Sequence, residues 1–250
     1  MKDSEPRASD KSRKEQDDKT ASTSGGLFAG TEGLRQRLYV YGQSAVCIGV
    51  CGGIAFGLYM VFRRYATETD VPERVIKSHK RLRGYMVNAA DGDTFRFYHV
   101  PASRWAFTRR PAERSRGVAK QTICVRVSAV DAPEMAHFGN PEQPLAREAR
   151  DRLLALLRGR AVTVKPLARD QYGRIVATVT YRSWLGFRHN VAHEMLRAGL
   201  ATLYTGGNAQ YDGEEALLAR LQDDARRAKV GVWGLKDFKT PAEYKREHRK

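Results

Sequence analysis

Apolar positions are distributed along this chain in three different ways. Residues 1–37 are rich in Ser, Lys, Asp, Glu and Gly and hold too little apolar surface to fold. Residues 38–62, LYVYGQSAVCIGVCGGIAFGLYMVF, then run for 25 positions without a charge. As one helix that run extends about 37 Å, more than the roughly 30 Å of bilayer hydrocarbon. Tyr39, Tyr41 and Tyr59 stand near its ends, where aromatic rings favour the membrane interface. The pattern predicts a disordered segment over 1–37, one transmembrane helix over 38–62, and a polar, partly helical stalk over 63–82.

Beyond the stalk the period shortens. RGYMVNAADGDTFRFYHV, TICVRVSAV, AVTVKPLA and GRIVATVTYR are predicted as strands, the last three by β-branched enrichment and partial alternation. Between the second and third lies QPLAREARDRLLALLRGR. Its Leu145, Ala149, Leu153, Leu156 and Leu157 recur at helical spacing, and Gly159 is a stop. NVAHEMLRAGLA and GEEALLARLQDDARRAKVG read as two further helices. Strands first, helices mostly after, and one helix inserted among the strands predict a small α+β domain with a curled sheet. It spans 83–235, with an insertion over 101–121 and a basic tail over 236–250.

Charge narrows the partner. Residues 1–37 hold 8 of the 44 Lys/Arg and 7 of the 28 Asp/Glu, and 38–62 hold none. All but one unit of the net +16 therefore lies beyond the apolar run, in a domain that attracts polyanions. The insertion concentrates Arg104, Arg109, Arg110, Arg114, Arg116 and Lys120 against one acid, Glu113, with Trp105 and Phe107 interleaved. It fits a flap on phosphates or lipid headgroups, or a solvated loop. The flanks of the apolar run are more basic on its C-terminal side, which places the large domain in the cytosol or a matrix. Gly49, Gly53 and Gly57 share one helix face, as a dimerising span requires, although glycine is common in membrane helices generally. Cys47, Cys51 and Cys124 supply neither a disulfide framework nor a zinc pattern.

The chemistry is carried by three short motifs. Asp91 and Asp93 bracket Gly92 in DGDT; RVSAVDAPE brings Arg126, Asp131 and Glu134; RDQYGR ends on Arg174. A strand running unbroken from Arg126 to Asp131 points the two side chains to opposite faces, so a turn or bulge near Ala129 is needed to unite them. DGDT is not an EF-hand loop, since Phe95 stands at its fifth position. Taken singly each motif is an ordinary turn. In this order they offer oxygen ligands for a hard cation, arginines for phosphate charge and a spare carboxylate to activate water. His189, His193 and Glu194 mimic a zinc helix but lack a third ligand, and fit a helix surface. Trp184 and Trp233 are expected in the core.

The motif order resembles the staphylococcal nuclease (thermonuclease) family over about residues 83–234, including NVAHEMLRAGLA and the GVWG ending. Within it the DGDTFRFYH start, the insertion after it, the stretch VDAPEMAHFGNPEQP and the N-terminal span resemble membrane-anchored fungal endonucleases assigned to mitochondria. The resemblance implies a five-stranded OB barrel with three helices and Ca²⁺-dependent cleavage of DNA and RNA. By motif position, Asp93, Asp131 and the Ala132 carbonyl would bind Ca²⁺, with Asp91 behind them. Glu134 would be the general base, Arg126 would hold the phosphate and Arg174 would stabilise the transition state. Tyr172 would line the substrate site. Ala132 replaces a frequent Thr, Gln171 a lysine, and Thr205 a stacking tyrosine, with Tyr204 adjacent. A barrel that binds nucleic acid without cutting it would lack the metal aspartates or arginines, and a membrane tether would need neither. None of these residues is missing.

Overall fold

A computed structural model describes residues 39, 41, 43, 46–59, 62–101, 105, 117–136 and 140–247. They fall into two units, 1–60 and 61–250. In the first, residues 46–59 form helix α1, whose apolar side chains Val46, Ile48, Val50, Ile54, Phe56 and Leu58 are all exposed. Among the described residues no helix is long and apolar enough to cross a membrane. Residues 39, 41, 43 and 62 are helical as well; the other positions of the span expected over 38–62, residues 38, 40, 42, 44, 45, 60 and 61, lie outside the described residues, as does the segment expected to be disordered. A Cβ at Gly49, Gly53 or Gly57 would meet nothing within 4 Å.

The second unit is built on a barrel. Strands β1 (Leu82–Ala89), β2 (Thr94–His99) and β3 (Ile123–Val127) form an antiparallel meander. β5 (Val162–Arg169) and β6 (Ile175–Arg182) pair as a hairpin, and β5 returns to β1. The parallel pair β3–β6 closes the ring, giving the five-stranded OB-like barrel. Closure needs strongly bent strands, and the register slips where bending is required: between Met86 and Asn88 of β1, and between Pro166 and Ala168 of β5. Pro166 carries no N–H, so it fits a break in the ladder better than a regular position. β7 (Arg188–Asn190) extends the sheet from the far end of β6, and the short pair β4 (Val130–Asp131) with β8 (Thr202–Leu203) stands apart.

Alternation along the strands fills the barrel. Phe95, Phe97, Ile123, Val125, Val164, Ile175 and Val179 are fully buried or nearly so. Three helices cover it: α3 (Ala146–Leu157), α4 (Val191–Arg197) and α5 (Glu215–Arg227). The apolar spacing read in the first of these is the stripe it buries, since Ala149, Leu153, Leu156 and Leu157 all enter the core. Each such leucine contributes about 2 kcal/mol through burial.

Two expectations are corrected here. Five α-helices rather than three are described in this unit, because α2 (Glu73–Lys77) and α6 (Pro241–Glu247) add to those on the barrel. Moreover, the region expected as a polar stalk is folded in. Tyr65, Val71, Val75 and Ile76 join the core. Arg169 of β5 donates to the carbonyls of Glu68 and Val71, and the Tyr65 N–H donates to His99 Nδ1. Its apolar residues are few and irregularly spaced, so no period marks them. Most of the insertion over 101–121 lies outside the described residues; Trp105 stacks on Tyr85.

Candidate active site

The β1–β2 turn is shaped by its own side chains. The Asp93 N–H donates to Asp91 Oδ1 (3.2 Å), and the Ala90 N–H donates to the Thr94 carbonyl (2.9 Å). Gly92 is required by space: a Cβ there would sit 2.6 Å from Ala132 Cβ and 2.7 Å from Ala149 Cβ. The turn is thereby pressed against both the Ala132 loop and α3. The Asp93 carbonyl accepts from the Val127 N–H, which ties the turn to the end of β3.

Beyond β3 the chain reverses at Ala129, a non-glycine residue with φ of 66°. The turn is held by the Tyr204 N–H on the Ala129 carbonyl and by the Thr202 hydroxyl on the Asp131 carbonyl. It swings Asp131 back towards β3, so that Arg126 Nη2 lies 2.7 Å from Asp131 Oδ1 and 3.3 Å from Asp93 Oδ2. The two aspartates, 4% and 2% exposed, converge on one guanidinium.

Glu134 is aimed by Gln143, a buried residue that sequence reading passed over. Its Oε1 accepts from the Glu134 N–H, its own N–H donates to the Glu134 carbonyl, and its Nε2 donates to the Lys239 carbonyl. Through that last bond the Glu134 loop is tied to the lead-in of α6. The helix is held further by the Tyr244 hydroxyl on the Pro141 carbonyl. From α6, Lys245 Nζ reaches Glu134 Oε1 at 2.7 Å and Asp131 Oδ1 at 2.9 Å. The stretch expected as a basic tail therefore supplies an ammonium to the centre of the site.

Arg174 closes the other side. Asp170 accepts from its Nε (2.6 Å) and its backbone N–H (2.9 Å), fixing the guanidinium within the tight DQYG turn. Its Nη1 reaches the Thr94 hydroxyl at 3.4 Å, and that hydroxyl donates to Asp93 Oδ1 at 2.7 Å. Beside the arginines opens a cavity of about 420 Å³, lined among others by Tyr172, Tyr204 and Asn208. Tyr172 is 75% exposed at its rim, and the Tyr204 ring lies 5.2 Å from the Arg126 guanidinium carbon.

Charge is compensated within the cluster. Burial, then the Asp93 carboxylate, pushes the Asp91 carboxyl up to about 8. Burial would raise Asp93 also, but Arg126, Lys245 and the Thr94 hydroxyl outweigh it and lower its pKa. Burial opposes the charge on Arg126 and Lys245, and the surrounding carboxylates overcome it, raising both. Among the described residues no three His, Cys, Asp or Glu side chains converge into a metal cage. The donors are nonetheless all oxygens, as a hard cation prefers.

The remaining candidates lie elsewhere. His193 Nε2 pairs with Glu214 (3.0 Å), while His189 stacks on Tyr181, so the two histidines do not share a site. Trp233 packs under Arg226 and against Phe238. Trp184, expected in the core, is 91% exposed instead. It sits on a hairpin tip that the barrel cannot cover.

Comparison with known proteins accords with this geometry. Residues 124–234 match the family described as staphylococcal nuclease homologue. The chain is 40% identical over 191 residues to the "Probable endonuclease LCL3" of Komagataella phaffii, covering 74% of this chain and 83% of that one. The protein of the same name from Scheffersomyces stipitis is 37% identical over 203 residues, covering 78% and 86%. That of Schizosaccharomyces japonicus is 33% identical over 220 residues, covering 82% and 94%. On the barrel, the motif order and these relatives together, the chain belongs to the family of staphylococcal nuclease homologues.

Proposed function

We propose that this phosphodiester-hydrolysing nuclease is a calcium-dependent endonuclease of DNA and RNA, anchored to a membrane. The observation that carries the reading is the meeting of Asp93 and Asp131 on Arg126, with Glu134 beside them and Arg174 at the cavity mouth. Asp93, Asp131 and the Ala132 carbonyl would hold the ion, with Asp91 supporting Asp93 from behind. When bound, the ion supplies positive charge beside the phosphorus oxygens.

The chain's own groups do the rest. Arg126 binds a phosphate oxygen while its other contacts hold the aspartates in place. Arg174, kept in position by Asp170, meets the charge that develops on the phosphoryl group and the leaving oxygen. Glu134 takes the proton of the attacking water, which requires that Lys245 release it. Tyr172 and Tyr204 offer ring faces to the adjoining nucleotides.

The membrane part of the reading rests on the charge-free run 38–62 and on the exposed apolar side chains of α1. Resemblance to the fungal endonucleases directs it to mitochondria, and Gly49, Gly53 and Gly57 suit pairing of two spans. The test is a nuclease assay of the detergent-solubilised chain on single-stranded DNA and on RNA. Cleavage should require Ca²⁺, stop with chelator and be lost in Glu134→Ala. Undiminished cleavage in chelator or in that variant would overturn the assignment.

A further inference from the structure

The turn between β6 and β7 offers apolar side chains to solvent. Trp184, Leu185 and Phe187 are 91%, 61% and 66% exposed. The turn itself is well formed. The Ser183 N–H donates to the Phe187 carbonyl, the Gly186 N–H donates to the Ser183 carbonyl, and Gly186 takes φ of 85°. Arg182 and Arg188 stand directly opposite each other at its base, both exposed. Like charges in that position destabilise a strand pair, and the Arg182 Nη1 donates to the Gly186 carbonyl within the turn (3.1 Å).

We propose that this hairpin seats in the surface of a bilayer that carries anionic lipid. Trp184, Leu185 and Phe187 enter the boundary between headgroups and acyl chains, where an aromatic and aliphatic tip is at home. Arg182 and Arg188 then meet lipid phosphates, which removes their mutual repulsion. An apolar tip with a basic collar matches that surface in both chemistry and order. Single-stranded nucleic acid fits less well, because Leu185 offers no ring face and the tip is remote from the cavity. Arg174 precedes β6 and the hairpin follows it, so the eight residues of that strand, roughly 26 Å, separate them. A seated hairpin thus leaves the nuclease cleft in water. The contact belongs to the barrel domain and is additional to any anchor formed by residues 38–62.

The test uses the full chain in nanodiscs of phosphatidylcholine, with or without phosphatidylserine, and with acyl-brominated lipid as quencher. Subtracting the emission of Trp184→Phe isolates Trp184 from Trp105 and Trp233. The Trp184 signal should shift to shorter wavelength and be quenched by the brominated chains, more strongly with phosphatidylserine present. Amide exchange over 183–187 should slow several-fold, and the slowing should vanish in the Arg182→Ser, Arg188→Ser double variant. An unshifted, unquenched Trp184 signal would overturn the proposal. So would quenching by oligothymidylate in place of lipid, which would make the tip a base-stacking platform. Should the chain stay out of nanodiscs, the anchor reading fails. The same Trp184 signal is then read with vesicles of the same composition, so the two ideas fail separately.

Discussion

Lys245 donates to Glu134 across 2.7 Å while also lying 2.9 Å from Asp131, so a residue near the end of the chain occupies the centre of the acidic cluster. Arg126 holds the same Asp131 oxygen at 2.7 Å. A divalent cation drawn to Asp131 must compete with both. Lys245 is 43% exposed at its side chain, so its ion pair is worth about 1 kcal/mol. Lys245→Met should therefore tighten Ca²⁺ binding about fivefold in a calorimetric titration of the full chain. Lys245→Arg should stay close to the parent. Equal affinity in parent and methionine variant would exclude the ammonium as a competitor.

The acid–base assignment predicts losses of different size. Glu134→Gln removes the proton acceptor and should lower kcat about 10²–10⁴-fold. Arg174→Ala should cost about 10²–10³-fold. Asp170→Asn leaves the guanidinium present but frees it from its 2.6 Å partner, so its loss should be smaller. Steady-state kinetics, with circular dichroism showing each variant folded, decides the order. Parent-like kcat in Glu134→Gln would remove that residue from the chemistry.

Gly92 is a packing constraint with a catalytic consequence. In Gly92→Ala the added methyl meets Ala132 and Ala149 at under 3 Å, so the turn carrying Asp93 must move. Overpacking of this kind costs about 1–3 kcal/mol. The urea midpoint should fall, and activity should drop further than stability alone explains.

His99 makes the domain acid-sensitive. Burial, then the charges of Arg64 and Lys80, holds its pKa down at about 4, below the ordinary 6.5. The fold therefore favours the neutral ring, whose Nδ1 accepts from the Tyr65 N–H. This stabilisation is complete above about pH 6.5 and is lost as pH falls towards 4. Over that window it amounts to about 3 kcal/mol. His99→Asn retains an acceptor without the titration. The unfolding free energy of the parent minus that of the variant should therefore fall by about this amount as pH drops through the window, and a constant difference would refute the assignment.

Much of the barrel and its site can be read in one dimension. Phe95 and Phe97 alternate with polar neighbours, and Leu153 and Leu157 lie four apart, because strand and helix each impose a period that burial makes visible. Asp93, Asp131, Glu134 and Arg174 were legible because each sits in a short turn motif, and the need for a reversal near Ala129 followed from strand geometry alone. Residues without a period or a motif were not legible. Tyr65 and Val71 are isolated apolar positions in a polar stretch, and only the surface they meet shows that they belong to the core. Trp184 was expected inside because it is large and apolar, yet a five-residue turn beyond the barrel rim has nothing to pack against.

The sequence by itself determined that a basic α+β domain carries two aspartates, a glutamate and two arginines in an order suited to phosphodiester hydrolysis, behind an apolar charge-free run. Tertiary structure alone decided which groups meet. Gln143 binds the Glu134 loop to α6, Lys245 enters between Glu134 and Asp131, and Asp170 fixes Arg174. Such pairings depend on chain segments far apart in sequence, and no local periodicity records them. Charge compensation in a buried cluster is a property of the assembled fold.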